Sequence, residues 1–255
     1  MREANRVIVF SGAGMSAESG ISTFRQPDVG IWANKLGLAY FGTPFGWWLS
    51  PGLAWKTYLN YFRNPISIAK PNAGHIAIAK LEEIFKKENK SIVVVTQNVD
   101  ALHQRAGSSK VYELHGTVYR HKCSKHHHVH EYQVPVVGLD DSDYDPKKDE
   151  FFNPKNPPKC SVDGCKSYLR PDATLFTEGL PDEAWDLTDE AVRELKNNDL
   201  MLVIGTSGVV YPAASIPQRI AELKKANIVE INPERSALTN CIEKSGGLFL
   251  QTTAG

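Results

Sequence analysis

Three groups of residues in this sequence have the types and spacing to do chemistry. The first lies in VIVFSGAGMSAESGISTFR, residues 7 to 25, where Gly12-Ala13-Gly14 ends an apolar run and small hydroxyl residues follow. Glycines there let the backbone approach a ligand closely and reach positive φ, and the N-terminus of a following helix favours an anion. Ser16 and Glu18 suit its first turn, so a phosphate cradle is expected. The spacing departs from G-x-G-x-x-G because the third glycine position holds Ala17, and a plain strand-to-helix turn is the competing reading. The second group is Gln97-Asn98-Val99-Asp100 together with His115-Gly116. A histidine at a strand end is a candidate base because its pKa lies near working pH, and the glycine leaves room for a ligand. Each has a structural reading too: Asp100 suits an N-cap for a short helix through His103 and Arg105, and His115 suits a hydrogen-bonded structural histidine.

The third group is Cys123-x-x-His126 with Cys160-x4-Cys165. Two pairs of soft ligands separated by a loop fit a tetrahedral Cys3His zinc site, with His127, His128 and His130 as alternatives for the fourth ligand. With every position filled by protein no place remains for water, so one structural zinc per chain is expected. Four cysteines in 255 residues, three of them clustered, are a poor basis for a disulfide framework.

Something must position these groups. Val7 to Phe10, Ser91 to Thr96, Lys110 to Leu114, Asp172 to Phe176, Leu200 to Gly205 and Ile228 to Asn232 read as strands. Asn72 to Lys87, Pro181 to Asn197 and Ala213 to Lys225 read as helices between them. That alternation predicts an α/β fold with a doubly wound parallel sheet. Polar or small clusters close several strands: Gln97 to Asp100, Gly205-Thr206-Ser207 and Asn232-Pro233-Glu234. Open α/β sheets place their ligand beyond those carboxyl ends. Ile31 to Pro71 breaks the rhythm with Trp32, Trp47, Trp48, Trp55, Tyr58 and Tyr61, mostly a packing signal, with one or two lining a pocket.

Composition narrows the partners. Basic and acidic residues balance at 29 each, so no general nucleic-acid or membrane footprint is expected. No apolar run approaches a bilayer span, and the first strand leaves no room for a signal peptide. The chain reads as intracellular, cytoplasmic or nuclear, or mitochondrial where a targeting segment has been removed, and as a monomer.

GAGMSAESGISTFR, TQNVDALH, ELHG, the split cysteine module, GTSGVVYPA and EIN occur in this order over nearly the whole chain. In these six motifs the sequence resembles the sirtuins, the NAD-dependent protein lysine deacylases. The resemblance implies a Rossmann-like NAD-binding domain over 1–32, 72–118 and 171–255, with a small zinc-binding and helical domain inserted over 33–71 and 119–170. It places Gly12, Ala13, Gly14, Ala17 and Glu18 along the NAD phosphates and ribose, and Thr23, Phe24 and Arg25 in a cofactor loop. It further places Gln97, Asn98 and Asp100 at the nicotinamide and its ribose, and Gly205, Thr206, Ser207 and Asn232 on the adenosine side. His115 matches the catalytic base, aided by Asn98 and Asp100. The implied products are free lysine, nicotinamide and O-acyl-ADP-ribose. The implied partner is an acylated lysine in an extended peptide, added as a strand between Val209-Val210-Tyr211 and the segment 174–177 that holds Phe176.

The acyl pocket is implied by Gly42, Tyr58, Tyr61 and Phe176. The branch that removes succinyl groups holds the acyl carboxylate with a Tyr and an Arg three residues later. Here Tyr58 matches, Tyr61 stands at the Arg position, and Arg63 follows two residues on. Positions 58 and 63 do not share a face of a regular helix, so a roomy aromatic pocket for acetyl or longer neutral acyl groups is expected. Two departures stand out: His126 replaces a cysteine, and Thr177 replaces a glycine. The alternatives are an NAD-dependent protein ADP-ribosyltransferase and, within the family, a desuccinylase or demalonylase.

Overall fold

The computed structural model describes residues 3–22, 41–125, 129–131, 144–145, 150–151 and 157–255. Its strands in chain order are β1 (Arg6–Ser11), β2 (Ser91–Thr96), β3 (Val111–Glu113), β4 (Gly116–Cys123), β5 (Val129–Glu131), β6 (Tyr144–Asp145), β7 (Glu150–Phe151), β8 (Leu169–Ala173), β9 (Leu200–Ile204), β10 (Asn227–Asn232) and β11 (Leu248–Gln251). The chain divides into two compact units, one from 1–23, 70–115 and 180–255, the other from 24–69 and 116–179.

The first unit is built on a six-stranded sheet in the order β11-β10-β9-β1-β2-β3, with every pairing parallel. Side chains alternate across β1, so Ile8 and Phe10 enter a core with Val95, Met201, Val203, Ile220 and Ile228. Val7 and Val9 point the other way, into a core with Ile78, Phe85, Val94 and Leu202. Both faces are covered, which is why β1 and β9 are unbroken apolar runs. The helix Ala73–Lys87 starts at a capping box between Asn72 and His75 and carries Lys86 and Lys87 in its last turn, where cations complement the helix dipole. Asp182–Glu194 likewise places Asp182 and Glu183 first and Arg193 last.

In the second unit Trp47, Trp55 and Tyr58 meet edge to face, with ring centroids 5.5 to 6.3 Å apart. The Trp55 indole N–H donates to Leu169 O at 3.0 Å. These aromatics are core, in keeping with the packing reading. The helix Pro51–Tyr58 continues into a π-helical turn, Leu59–Arg63. β5, β4 and β8 form an antiparallel sheet, beside which buried Arg170 pairs with Glu178.

Some elements differ from expectation. The strand expected at Asp172 to Phe176 is β8, starting at Leu169 and paired antiparallel with β4; its buried run gave no sign of which sheet it joins. β11 was not expected, because Leu248 and Leu250 on this edge strand are exposed and give no alternation to read. Val209 to Tyr211 form no strand and lead into a turn at Tyr211. Thr177 takes φ +77°, a left-handed conformation that the replaced glycine would adopt freely and that costs a β-branched residue about 1–2 kcal/mol.

Candidate active site

The loop after β1 folds as a 3-10 helix, Ala13–Ser19. Gly12 N–H donates to Ile204 O at 3.0 Å and Gly14 N–H to Gly205 O at 2.8 Å. A Cβ on Gly12 or Gly14 would come within 2.9 or 2.8 Å of Gly205 backbone, and one on Gly205 within 2.3 Å of Met15 N. The glycines therefore let the turns after β1 and β9 touch. This corrects the expected reason: Gly12 has φ −124°, and Gly205 is the residue of this junction with positive φ, +62°. Ala17 and Glu18 are exposed.

Beyond the carboxyl ends of β1, β2 and β9 lies a set of oriented amides. Asn98 Nδ2 donates to Gly12 O and Ser16 Oγ, both at 3.1 Å. Gln97 Nε2 donates to Thr206 Oγ1 at 3.0 Å. Asn232 Nδ2 donates to Thr206 O at 2.8 Å and Glu230 Oε1 at 2.9 Å. The nitrogens are held by protein, and the amide oxygens accept no hydrogen bond among the described residues. A site edged by free acceptors suits hydroxyl-rich ligands such as riboses.

Asp100 is buried, 4% exposed. It accepts from Ser16 Oγ at 2.6 Å and from Leu102 N–H at 2.9 Å. Burial foremost raises its pKa, against the lowering effect of these bonds. Its bond to Leu102 N–H lies at the start of the short helix Leu102–Ala106, whose N-cap is Ala101 and not the expected Asp100, and its bond to Ser16 fastens the glycine loop.

His115 follows β3. Its Nδ1 lies 2.9 Å from Gln97 O, and because a carbonyl can only accept, Nδ1 carries the proton. Nε2 then holds the lone pair, as a base requires. Burial lowers its pKa while the Gln97 bond raises it, with a net lowering, which keeps the ring neutral at pH 7. Beneath this layer Ser11 Oγ donates to Thr96 Oγ1 at 2.9 Å and meets His103 Nε2 at 3.0 Å. The rings of His103 and His75 are 4.7 Å apart. This buried layer was not among the expected site residues; the signal was Ser11, a polar residue closing an apolar strand.

In the second unit the sulfurs of Cys123, Cys160 and Cys165 lie within 4.8 Å of one another. Cys123 Sγ and Cys165 Sγ are 3.5 Å apart, against about 3.8 Å for two thiolates on one tetrahedral zinc. The donor set fits zinc. Burial foremost, with the adjacent thiols, raises the Cys160 pKa, a charge cost that a divalent cation removes. The expected ligand His126 lies outside the described residues, as do Thr23, Phe24, Arg25 and the side chain of Tyr61.

The Sir2 family model matches residues 12–212. That span holds both the glycine loop and His115. The chain belongs to the Sir2 family. A curated relative named NAD-dependent protein deacylase 2, from Pyrobaculum aerophilum, is 41% identical over 255 residues, covering 100% of this chain and 89% of the relative. A solved ADP-ribose complex of a Sir2 homologue superposes with TM-score 0.78 at 33% identity, covering 99% of this chain and 88% of the other. A Sir2 complex with a p53 peptide and NAD+ gives TM-score 0.73 at 31% identity, covering 99% and 90%. The six-stranded parallel sheet is the Rossmann-like fold expected of a Sir2 family member.

The residues expected at an acyl pocket are partly described. Tyr58 is buried and its hydroxyl donates to Val118 O at 2.8 Å. Burial raises its pKa. Gly42 O accepts from Phe176 N–H at 2.7 Å. Phe176, Val209, Val210 and Tyr211 are 42 to 64% exposed.

Proposed function

We propose that this chain is an NAD-dependent protein lysine deacylase. The observation that supports it best is His115, its Nδ1 anchored on Gln97 O and its Nε2 left as a neutral base in the unit that presents the free amide oxygens. NAD, when bound, would supply a ribose carbon for attack by the acyl oxygen, with nicotinamide as the leaving group and one water consumed in giving free lysine and O-acyl-ADP-ribose. Gln97 and Asn98 accept from the nicotinamide ribose and hold it aligned. His115 Nε2 takes the proton of a ribose hydroxyl. Asp100, through Ser16, holds the glycine loop that carries Gly12, Ala13 and Gly14 to the phosphates, with Ala17 and Glu18 beside them. Gly205, Thr206, Ser207 and Asn232 take the adenosine side. Thr23, Phe24 and Arg25 complete the cofactor loop in this reading. The protein substrate offers an acyl-lysine in an extended segment along Val209 to Tyr211. Zinc on Cys123, Cys160, Cys165 and His126 is structural.

The test is nicotinamide release from NAD with acetyl-, butyryl- and succinyl-lysine peptides, beside His115→Tyr. Peptide-dependent release lost in the variant supports the reading. Protein labelled from labelled NAD without deacylation would replace it with ADP-ribosyl transfer.

A second reading of the acyl group is favoured by Arg63. A π-helical turn spaces its hydrogen bonds five residues apart, so the regular-helix premise that separated positions 58 and 63 does not hold at Leu59–Arg63. Arg63 is 5% exposed. Its guanidinium lies 5.3 Å from the Tyr119 ring centroid, with no ion pair or hydrogen bond among the described residues. A buried guanidinium lacking an anion is costly, and an acyl carboxylate would relieve it. Succinyl turnover above acetyl, lost in Arg63→Ala, supports this acidic-acyl reading; acetyl or butyryl turnover above succinyl supports the neutral pocket.

A further inference from the structure

We propose that Glu230 is a positioning residue that fixes the adenosine side of the site as a hydroxyl acceptor, and thereby selects NAD against its 2′-phosphorylated form. The inference rests on the reading that Asn232 faces the adenosine ribose. Glu230 precedes Asn232 by two residues on β10, so both project from the same face. That face is core: Ile228 on it packs with Met201 and Val203. Glu230 is 0% exposed, an expensive place for a carboxylate.

Its contacts show what it does there. Glu230 Oε1 accepts one N–H of Asn232 at 2.9 Å, and Thr206 O accepts the other at 2.8 Å. A backbone carbonyl and a carboxylate oxygen are both acceptors, so the amide of Asn232 can sit only with its nitrogen toward them. Asn232 Oδ1 is thereby turned away as an acceptor without a donor. Glu230 Oε2 likewise has no hydrogen-bond partner among the described residues. A ribose hydroxyl supplies the proton that Asn232 Oδ1 lacks. A 2′-phosphate is mostly dianionic at neutral pH and so a poor proton donor, and its charge would meet an acceptor oxygen backed by a carboxylate. Mismatches of this kind, which leave buried polar groups unpaired, discriminate strongly.

Glu230→Gln keeps an acceptor toward Asn232 Nδ2, and Thr206 O still holds the other N–H, but the substitution removes the carboxylate charge that a 2′-phosphate would meet. Calorimetric titration of the purified protein with NAD and with NADP, without peptide, reads this directly. Wild type should bind NAD at least about tenfold more tightly than NADP, and Glu230→Gln should shrink that ratio by on the order of tenfold. A residue with a merely structural role would lower both affinities by one factor and leave the ratio. Glu230→Ala provides the same comparison where the Gln variant does not fold. Equal affinities in wild type, no NAD binding, or an unchanged ratio in a folded variant overturns the inference. Selective NAD binding without turnover of any acyl peptide would instead remove the deacylase reading and leave this one standing.

Discussion

Acid should destabilise this fold through two buried imidazoles. His75 and His103 are 0% and 1% exposed. Ser11 spends its proton on Thr96, so His103 Nε2 carries a proton to Ser11, and among the described residues His103 Nδ1 is left without a partner, as is His75 Nε2. His75 Nδ1 lies 2.9 Å from Asn72 Oδ1. Burial lowers His75 from 6.5 to about 4, and burial with the neighbouring ring lowers His103 from 6.5 to about 3. Between those values the unfolded chain binds protons that the folded chain refuses. Their contribution is therefore complete above pH 6.5 and is lost as pH falls toward 4 and then 3. At pH 5 each ring is about 1.5 units below its unfolded pKa, or about 2 kcal/mol, giving roughly 4 kcal/mol for both. The assay is urea unfolding of wild type and a His75→Gln, His103→Gln double variant at pH 7 and pH 5. The double variant should be less stable at pH 7 yet lose about 4 kcal/mol less on acidification. Zinc ligands and Asp100, whose raised pKa acts with the opposite sign, are common to both proteins and cancel. An equal loss in the two proteins would falsify the buried neutral pair.

Three further outcomes are expected. The acid limb of kcat/KM with an acyl peptide should fall below the ordinary imidazole value, because His115 must be neutral and its pKa is lowered; a limb at or above pH 7 would count against it as the base. Gly205→Ala should cost about 3 kcal/mol or more, from a positive φ and a Cβ driven into the Met15 backbone, and unchanged thermal unfolding would refute the tight junction. Chelation should release about one zinc per chain and disrupt the second unit, read by tryptophan fluorescence from Trp47 and Trp55; intact fluorescence after full metal removal would rule out a structural role.

Much of the molecule was legible in sequence because its signals are local. The unbroken apolar runs of β1, β2 and β9 require burial on both faces, and helices of matching length lie between strands. Cysteine spacing marked the metal cluster, and polar residues at strand ends marked the site. What escaped was non-local. β8 joins β4 because of pairing partners far away in sequence, and its own residues read the same in either sheet. The acyl-pocket argument assumed a regular helix, and the chain makes a π-helical turn at Leu59–Arg63.

The sequence by itself determined the family, the parallel α/β sheet and the candidate residues, since residue type and order are sufficient for periodicity and motif. Only the tertiary structure decided how those residues act. Gly12, Gly14 and Gly205 serve contact between two turns, and His115 is left with Nε2 free because Gln97 O holds Nδ1. The amides of Asn98 and Asn232 present oxygen because each nitrogen is surrounded by acceptors. Hydrogen-bond direction and burial belong to surroundings assembled from distant segments, and no single stretch of the chain contains them.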